Sequence, residues 1–510
     1  MAGAHWGLPF LYDVDEPVFV TKAFKVLASR DLNPHWFGHP GTLTIYTNAA
    51  VFAADGMRAL LTGEVSQLSD LGKVFWTEPS RFYLLARLVA ATFGIATVAV
   101  TYALARQLLG VLPALIAALL LALAPLHVEF SQIARTDAQH TFLITLFALL
   151  CVRIATTGTW ARYACAGAVL GLAISCKYPS VIAAIALVAA YVVDRRQGRR
   201  DQPAAWVPIA VASAACIAGA FAGSPFMFLD FGQVLKDVAG EARTSHLGAT
   251  SMGFLASLQE YFVTLTLDSF GLAAPVGLAM GCWVLASSRR QALPLLALLA
   301  GYLAFISSLH LHWARWVIPV LPLVCIMLAA SLETPRQGPR GGPVARRALQ
   351  AAAMALLAWC AVQAFQASLA SVRERQATDS RTLAHAWIEQ HVPAGARLAV
   401  ETGAPQPSNR RYQVYVAGES GQLLRDETPS LYAWTSGNLS KLADPRELRT
   451  NGIEYVMLGD TLGLMEKEPG VYAAGIATYR QALGNAELLF ESRPTPGINR
   501  GSHVRIYRLR

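Results

Sequence analysis

The stretch FYLLARLVAATFGIATVAVTYALARQLL, residues 82–109, decides the fold class. It contains no carboxylate, and it exceeds the roughly 20 apolar residues that a helix needs to cross a bilayer. Similar apolar runs recur along the chain, which is 54% hydrophobic and 15% charged. This composition predicts a polytopic α-helical membrane protein. The ten predicted spans cover about residues 82–109, 111–126, 138–155, 161–176, 180–193, 205–226, 268–286, 292–309, 316–332 and 349–367.

The basic residues orient these spans. Arginines cluster at 195–200, at 289–290 and at 336–347, and all three clusters fall on the same side of a ten-span chain. Short loops rich in Lys and Arg remain in the cytoplasm. The net charge of +9 is therefore interpreted as a topology signal. We expect membrane lipid as a partner and no nucleic acid.

Three regions follow from this orientation. Residues 1–81 contain no spanning run, and they predict an extracytoplasmic acidic loop with amphipathic surface helices near residues 18–30 and 44–61. Residues 82–370 predict a multi-span transmembrane domain. From residue 371 to 510 the hydrophobicity falls, which predicts a small extracytoplasmic α/β domain. Its expected elements are a helix around 383–388 and strands at 397–401, 412–416, 453–459 and 503–509.

The first loop contains three carboxylates in four residues, in the stretch Tyr12-Asp13-Val14-Asp15-Glu16-Pro17. One interpretation is structural, with Asp15 and Glu16 capping a helix that Pro17 begins. A cap needs one carboxylate and three are present, so the stretch is also a candidate site. The pattern Asp-x-Asp matches soluble nucleotide-sugar transferases as well, but no Rossmann-like region surrounds it.

Four more charged residues lie on predicted outer turns: Arg135, Asp137, Lys177 and Arg315. Ionisable groups at membrane depth are costly and commonly mark function. Each basic residue alone could be an anchor whose charge reaches the interface. Their shared side of the membrane favours one common site.

Histidines near the same face do not form a metal pattern. Neither His39 nor the pair His310 and His312 has the four-residue helical spacing of a zinc site. We therefore predict no metal ligands and expect a structural or substrate-contact role for His39.

Several short motifs follow one another along the chain. They are Asp15-Glu16-Pro17, Asn33-Pro34, His39-Pro40, Ala134-Arg135-Thr136-Asp137, Lys177-Tyr178, Ser224-Pro225-Phe226 and the run from Arg315-Trp316 to Pro322. In order and in predicted topology they resemble the membrane glycosyltransferases of the dolichyl-phosphate-mannose protein mannosyltransferase superfamily, which have the GT-C fold. The likeness extends over nearly the whole chain and includes bacterial members of glycosyltransferase families 39 and 83.

The resemblance implies an enzyme that takes a hexosyl or pentosyl group from a polyprenyl-phosphate donor. The acceptor would be a protein, lipid or glycan on the outer face. No nucleotide cofactor is needed, and a divalent metal is left open. Asp15 would be the general base, assisted by Glu16. The expected sugar or acceptor contacts are Asp13, His39 and Asp137, and the expected phosphate ligands are Arg135, Lys177 and Arg315.

Two other functions remain open at this point. A secondary transporter would also place charges among helices, but near the midplane and in two related halves. A non-catalytic scaffold would give no reason for the acidic stretch. One departure from the family is that its members begin with a spanning helix before the acidic loop. We expect the coding sequence upstream of Met1 to encode such a helix.

Overall fold

The computed structural model describes residues 3–38, 41–198, 204–241, 245–333, 343–418, 420–427, 437–495 and 498–510. His39 and the basic residues at 199–200 and 336–342 lie outside these ranges. The chain divides into two compact units. We call Phe19–Val51 with Ala86–Ser371 the helical unit, and Ala2–Val18, Phe52–Leu85 and Val372–Arg510 the mixed unit.

The apolar runs of the sequence form helices close to where they were predicted. Within the described residues, five helices are long and apolar enough to cross a membrane, and five further apolar helices are shorter. The long ones are Ser80–Leu108, Asp137–Thr156, Tyr178–Arg195, Arg290–Ser307 and Val344–Gln376, and the shorter ones are Val111–Leu123, Trp160–Cys176, Val207–Gly223, Ala274–Ser288 and Ala314–Ala330.

Regular α-helix covers most of these segments, with short 3₁₀ turns at Tyr178–Ala183, Arg290–Ala292 and Ala314–Val320. The first ten helices are α1 (Glu16–Ser29), α2 (Thr42–Leu61), α3 (Asp70–Thr77), α4 (Ser80–Leu108), α5 (Val111–Leu123), α6 (Pro125–Phe130), α7 (Asp137–Thr156), α8 (Trp160–Cys176), α9 (Ala184–Arg195) and α10 (Val207–Gly223). The next seven are α11 (Phe226–Leu229), α12 (Phe231–Glu241), α13 (Phe254–Val263), α14 (Ala274–Ser288), α15 (Leu293–Ser307), α16 (Leu321–Ala330) and α17 (Pro343–Gln376).

The predicted span at 268–286 began too early. Residues Thr264–Asp268 form a π-helical turn that continues α13, and α14 starts only at Ala274. Gly271 separates the two with a φ of +79°, a left-handed conformation that costs glycine little. The apolar sequence of this segment did not indicate that the helix is interrupted at Gly271.

Small residues bring α8 and α10 into close contact. A Cβ atom added to Gly167 would lie 2.1 Å from the carbonyl oxygen of Ala212, and one added to Gly171 would lie 2.0 Å from that of Cys216. Close backbone approach of this kind is typical of helix pairs in membranes, where small residues allow dispersion contacts between backbones. Elsewhere in the helical unit, every residue of α16 is buried.

The mixed unit contains a six-stranded sheet in the order β6-β5-β4-β7-β10-β8. The central strand β4 pairs in parallel with β5 and with β7, whereas β10 runs antiparallel to β7 and to β8. The sheet strands are β4 (Arg397–Val400), β5 (Gln413–Ala417), β6 (Leu423–Arg425), β7 (Tyr455–Leu458), β8 (Glu487–Ser492) and β10 (Val504–Arg508). Short pairs elsewhere are β1 (Thr250–Ser251) with β2 (Leu311–His312) and β3 (Thr378–Asp379) with β9 (Asn499–Arg500).

Four of the sheet strands and the preceding helix lie where the sequence placed them. Helix α18 (Ser380–His391) packs Ala384 and Ile388 against Leu398, Val400 and Ile506 of the sheet. Strands β6 and β8 were not predicted. The remaining helices of this unit are α19 (Glu447–Thr450), α20 (Thr461–Lys467) and α21 (Ala473–Leu483).

A buried carboxylate lies at the end of β4. Glu401 accepts hydrogen bonds from the Tyr479 hydroxyl at 2.5 Å and from the backbone N–H of Gly459 at 2.8 Å. Burial raises the pKa of Glu401 to about 7, although both hydrogen bonds act to lower it. This acid therefore exchanges its proton near neutral pH.

Candidate active site

The acidic stretch lies in the mixed unit and begins helix α1. One carboxylate oxygen of Asp13 accepts hydrogen bonds from the backbone N–H groups of Asp15, at 3.0 Å, and Glu16, at 3.1 Å. These bonds satisfy donors at the helix start that have no partner within the helix. The structural interpretation of the stretch thus applies to Asp13.

The three carboxylates differ in burial. Asp13 is 7% exposed and Glu16 is fully buried, whereas Asp15 is only half-buried. A general base must be reachable by the group that it deprotonates. Among the three, Asp15 is the most accessible.

Helix α18 fixes Tyr12, the residue just before the three carboxylates. The Tyr12 hydroxyl lies 2.8 Å from that of Thr382, and Arg381 donates to the backbone carbonyl of Tyr12 at 2.9 Å. The Arg381 guanidinium also lies 4.0 Å from the centre of the Tyr12 ring, within the range of a cation–π contact. Asp379 holds this arginine through two hydrogen bonds of 2.8 and 2.9 Å. The C-terminal part of the unit therefore supports the acidic stretch.

The helical unit brings together four of the predicted site residues. Asp137 is the first residue of α7, and its carboxylate lies 2.5 Å from the Lys177 ammonium, which follows α8. The charges of Lys177, Arg315 and Arg135 all act on the Asp137 carboxylate. Arg315 lies on the 3₁₀ turn Ala314–Val320, which packs against α7. We call these four residues the cationic cluster.

The ion pair within the cationic cluster is buried. The side chains of Lys177 and Asp137 are only 20% and 5% exposed. Coulomb attraction is much stronger in such a buried, low-dielectric place than in water. Because three cationic residues act at this one place, the arrangement is suited to binding an anion such as a phosphate.

Trp313 and the 3₁₀ turn position Arg315. The Arg315 guanidinium stacks 4.6 Å from the centre of the Trp313 ring. Beside it, His312 stacks on Tyr261 with ring centres 4.3 Å apart. A planar guanidinium held on an aromatic face keeps its N–H donors aimed in a fixed plane, which favours phosphate recognition.

Sequence reasoning missed His140, one turn after Asp137. Its Nε2 atom lies 2.7 Å from the Ser180 hydroxyl, which itself donates to the Ala173 carbonyl at 2.9 Å. Because the hydroxyl proton is used, Nε2 must donate, and Nδ1 is left as an acceptor. The spacing from Asp137 could have indicated this residue, since positions three apart share a helix face.

Comparisons with known proteins support the fold. The model of the dolichyl-phosphate-mannose-protein mannosyltransferase family matches residues 83–221. ArnT from Cupriavidus metallidurans superimposes in its apo state with a TM-score of 0.56 at 12% identity, over 96% of this chain and 93% of that one. The chain has the GT-C fold. Its resemblance to that superfamily of multi-pass membrane proteins is thereby confirmed.

Two further GT-C structures are similar. ArnT from Cupriavidus metallidurans bound to undecaprenyl phosphate has a TM-score of 0.54 at 14% identity, covering 96% of this chain and 93% of that one. The apo oligosaccharyltransferase of Archaeoglobus fulgidus has a TM-score of 0.48 at 12% identity, covering 96% and 70%. No curated protein sequence matches the chain. The family-model match includes Arg135, Asp137 and Lys177, but neither the acidic stretch nor Arg315.

Proposed function

We propose that this protein transfers a sugar from a polyprenyl-phosphate donor to an acceptor on the extracytoplasmic face of the cell membrane. The observation that carries the proposal is the buried Lys177–Asp137 pair, on which the charges of Arg315 and Arg135 also act. A GT-C neighbour, ArnT, has been solved with undecaprenyl phosphate bound, so this fold can hold such a lipid.

In the proposed reaction the cationic cluster binds the donor phosphate and stabilises it as it leaves. Breaking the sugar–phosphate bond places an additional negative charge on the departing oxygen. Donors already fixed at that point cost no reorganisation when the charge develops. Asp137 would hold Lys177 in position before the donor binds, because the two side chains are paired at 2.5 Å.

The proposed general base is Asp15. An acceptor alcohol is a weak nucleophile, and a positioned carboxylate assists by taking its proton as the bond to the sugar forms. The atom balance is simple, since the acceptor oxygen gains the sugar, Asp15 gains the proton and the carrier leaves as polyprenyl phosphate. Glu16 would orient the acceptor, and Asp13 maintains the local backbone through its capping bonds.

The topology belongs to the same proposal. The basic loop that begins at Arg195 would be cytoplasmic, and the mixed unit would be extracytoplasmic. A phosphatase reporter fused after Arg510 should be active, and one fused after Arg196 should be inactive. The reverse pattern would place the acidic stretch on the wrong face and would overturn the proposal.

Activity is tested on the purified full chain in liposomes. Undecaprenyl-phosphate-linked mannose, glucose, galactose and arabinose are supplied with a membrane extract as the acceptor source, with and without EDTA. Release of undecaprenyl phosphate and transfer of labelled sugar are measured together. We expect turnover with at least one donor, and EDTA decides whether a divalent metal is required. Absence of both signals with every donor would contradict the proposal.

A further inference from the structure

A small cavity lies in the helical unit where α2, α4 and the residues just before and at the start of α7 meet. Its volume is about 10 Å³, which is close to the space of a single oxygen atom or water molecule. The walls include the apolar side chains of Val89 and Phe93. Its polar lining consists of Thr44, Asn48, Arg135 and Gln139.

Two of these polar residues are hydrogen-bonded within the protein. Gln139 accepts from the Thr44 hydroxyl at 2.7 Å, and its amide donates to the Thr47 hydroxyl at 3.1 Å. Arg135 belongs to the cationic cluster through its interaction with Asp137. The cavity and the proposed phosphate site therefore share one arginine.

Asn48 is different. It is 1% exposed, and within the described part of the chain neither its amide nitrogen nor its amide oxygen has a hydrogen-bond partner. A buried polar group without a hydrogen-bond partner destabilises the folded protein. Asparagine is also a weaker helix former than alanine or leucine, and it lies inside α2. An apolar residue would serve the fold better at this position, which suggests that the amide is kept for a ligand.

The group that would satisfy Asn48 must both donate and accept, because the amide offers N–H donors and an oxygen acceptor. A hydroxyl group does both, and the cavity has room for one oxygen. Arg135 connects the cavity to the proposed phosphate site, and in a lipid-linked donor the sugar is bonded directly to the phosphate. Of the groups in the lipid-linked substrate that lie near the phosphate, a sugar hydroxyl is thus the one that fits the cavity.

We propose that Asn48 recognises a hydroxyl group of the donor sugar, which inserts into this cavity. The inference rests on the proposed function and names a specificity residue for it. The same hydroxyl chemistry could come from a resident water molecule, and the experiment distinguishes the two sources.

The test combines one substitution with a series of donors. The donor with the highest wild-type turnover, among the four lipid-linked sugars above, is prepared in forms that each lack one hydroxyl. Wild type and Asn48→Leu are compared by kcat/KM on every form, and thermal unfolding in detergent reports folding. Asn33→Leu is the matched control, because Asn33 bonds to Asp230 at 2.9 Å and does not line the cavity.

We expect Asn48→Leu to lower kcat/KM for the full donor by about 10-fold or more, since a binding group for one hydroxyl is lost. One deoxy donor should lose a similar factor with wild type and nothing further with Asn48→Leu. The Asn33→Leu variant should rank the donors as wild type does.

Two results would overturn the inference. If Asn48→Leu lowers the unfolding temperature and lowers kcat/KM by the same factor for every donor, deoxy forms included, the cavity holds a water molecule. If the substitution leaves kcat/KM unchanged for all forms of the donor, Asn48 does not recognise the donor sugar. Both are distinguishable from failure of the proposed function, in which wild type turns over none of the donors. Should Asn48→Leu not fold, Asn48→Ser, which keeps a donor and an acceptor, must retain the wild-type ranking of deoxy donors.

Discussion

The acidic stretch and the cationic cluster are built in opposite ways. The three carboxylates of the stretch are neighbours in sequence, but Tyr12 next to them is held by Thr382 and Arg381, about 370 positions away. The cationic cluster assembles from three distant turns, yet each turn is fixed locally by the end of a helix. The acidic stretch is therefore easy to find in the sequence, but the distant residues that hold it in place are not. The cationic cluster is the reverse, because its dispersed residues can be related to one another once the order of the helices is known.

The largest effect is expected from the acidic stretch. Asp15→Asn keeps the shape of the side chain and removes its proton affinity, so sugar transfer should fall by about 10²- to 10⁴-fold. Liposome assays with the active donor measure this, with membrane insertion checked by yield and unfolding temperature. Because Asp13 supplies the capping bonds, Asp13→Asn should keep most activity, since asparagine caps as well as aspartate. Near-normal transfer by Asp15→Asn would move the search for the base to Asp137.

The cationic cluster is tested next with three single-residue variants, Lys177→Ala, Arg135→Ala and Arg315→Ala. At least one should lower kcat by about 10²- to 10³-fold, as expected for loss of a preorganised donor to the leaving group. Arg315→Lys tests geometry separately, because lysine retains the charge but loses the planar stack on Trp313. Wild-type rates in all three alanine variants would remove the cluster from the mechanism.

A smaller effect tests the support of the stretch from α18. Arg381→Met removes the hydrogen bond to Tyr12 and leaves Asp379 buried without its partner, so we expect roughly a 10-fold loss of transfer and a lower unfolding temperature. The double variant Arg381→Met with Asp379→Leu removes both charges. It should recover stability but not activity if the arginine acts by holding Tyr12. Recovery of both would show that its role is stability alone.

The smallest effect concerns the mixed unit's stability and leaves chemistry unchanged. The pKa of Glu401 is raised to about 7 when folded, above an ordinary value of 4.5. The folded state therefore binds the proton more tightly, and its stability should decrease as pH rises from about 4.5 to 7 and then level off. The unfolding temperature of the mixed unit, followed in the full chain, measures this. Glu401→Gln should flatten the profile across that window, and an unchanged slope would contradict the assignment.

Some of this structure could be predicted because apolar runs of spanning length have few alternative folds. Residues 82–109, for example, became the helix Ser80–Leu108 almost residue for residue. Strand β8 was missed because its sequence, ELLFES, does not alternate clearly between apolar and polar residues. The break at Gly271 was missed because a glycine within an apolar run gives no sign of its backbone conformation.

The contacts within the candidate site could not be predicted from the sequence. Charges on one predicted face indicated that Arg135, Lys177 and Arg315 could share a site with Asp137, and the structure pairs Lys177 with Asp137 at 2.5 Å. The sequence could not show that Asp13 caps α1, since all three carboxylates are chemically able to do so. Nor could it show Asn48 beside a cavity, because a void depends on the packing of three helices.

The complete burial of α16 has a consequence for how this protein can change. Because every residue of α16 packs against other parts of the protein, the shape of each side chain matters as well as its hydrophobicity. Substitution of its Leu, Val, Cys and Met residues should therefore be destabilising even when the new side chain is equally hydrophobic. Helix α17 exposes Met354, Trp359, Val362 and Phe365, where the surrounding hydrocarbon tolerates many apolar side chains. Variation among natural relatives should therefore be concentrated on α17, and efforts to adapt the protein to detergent should begin there.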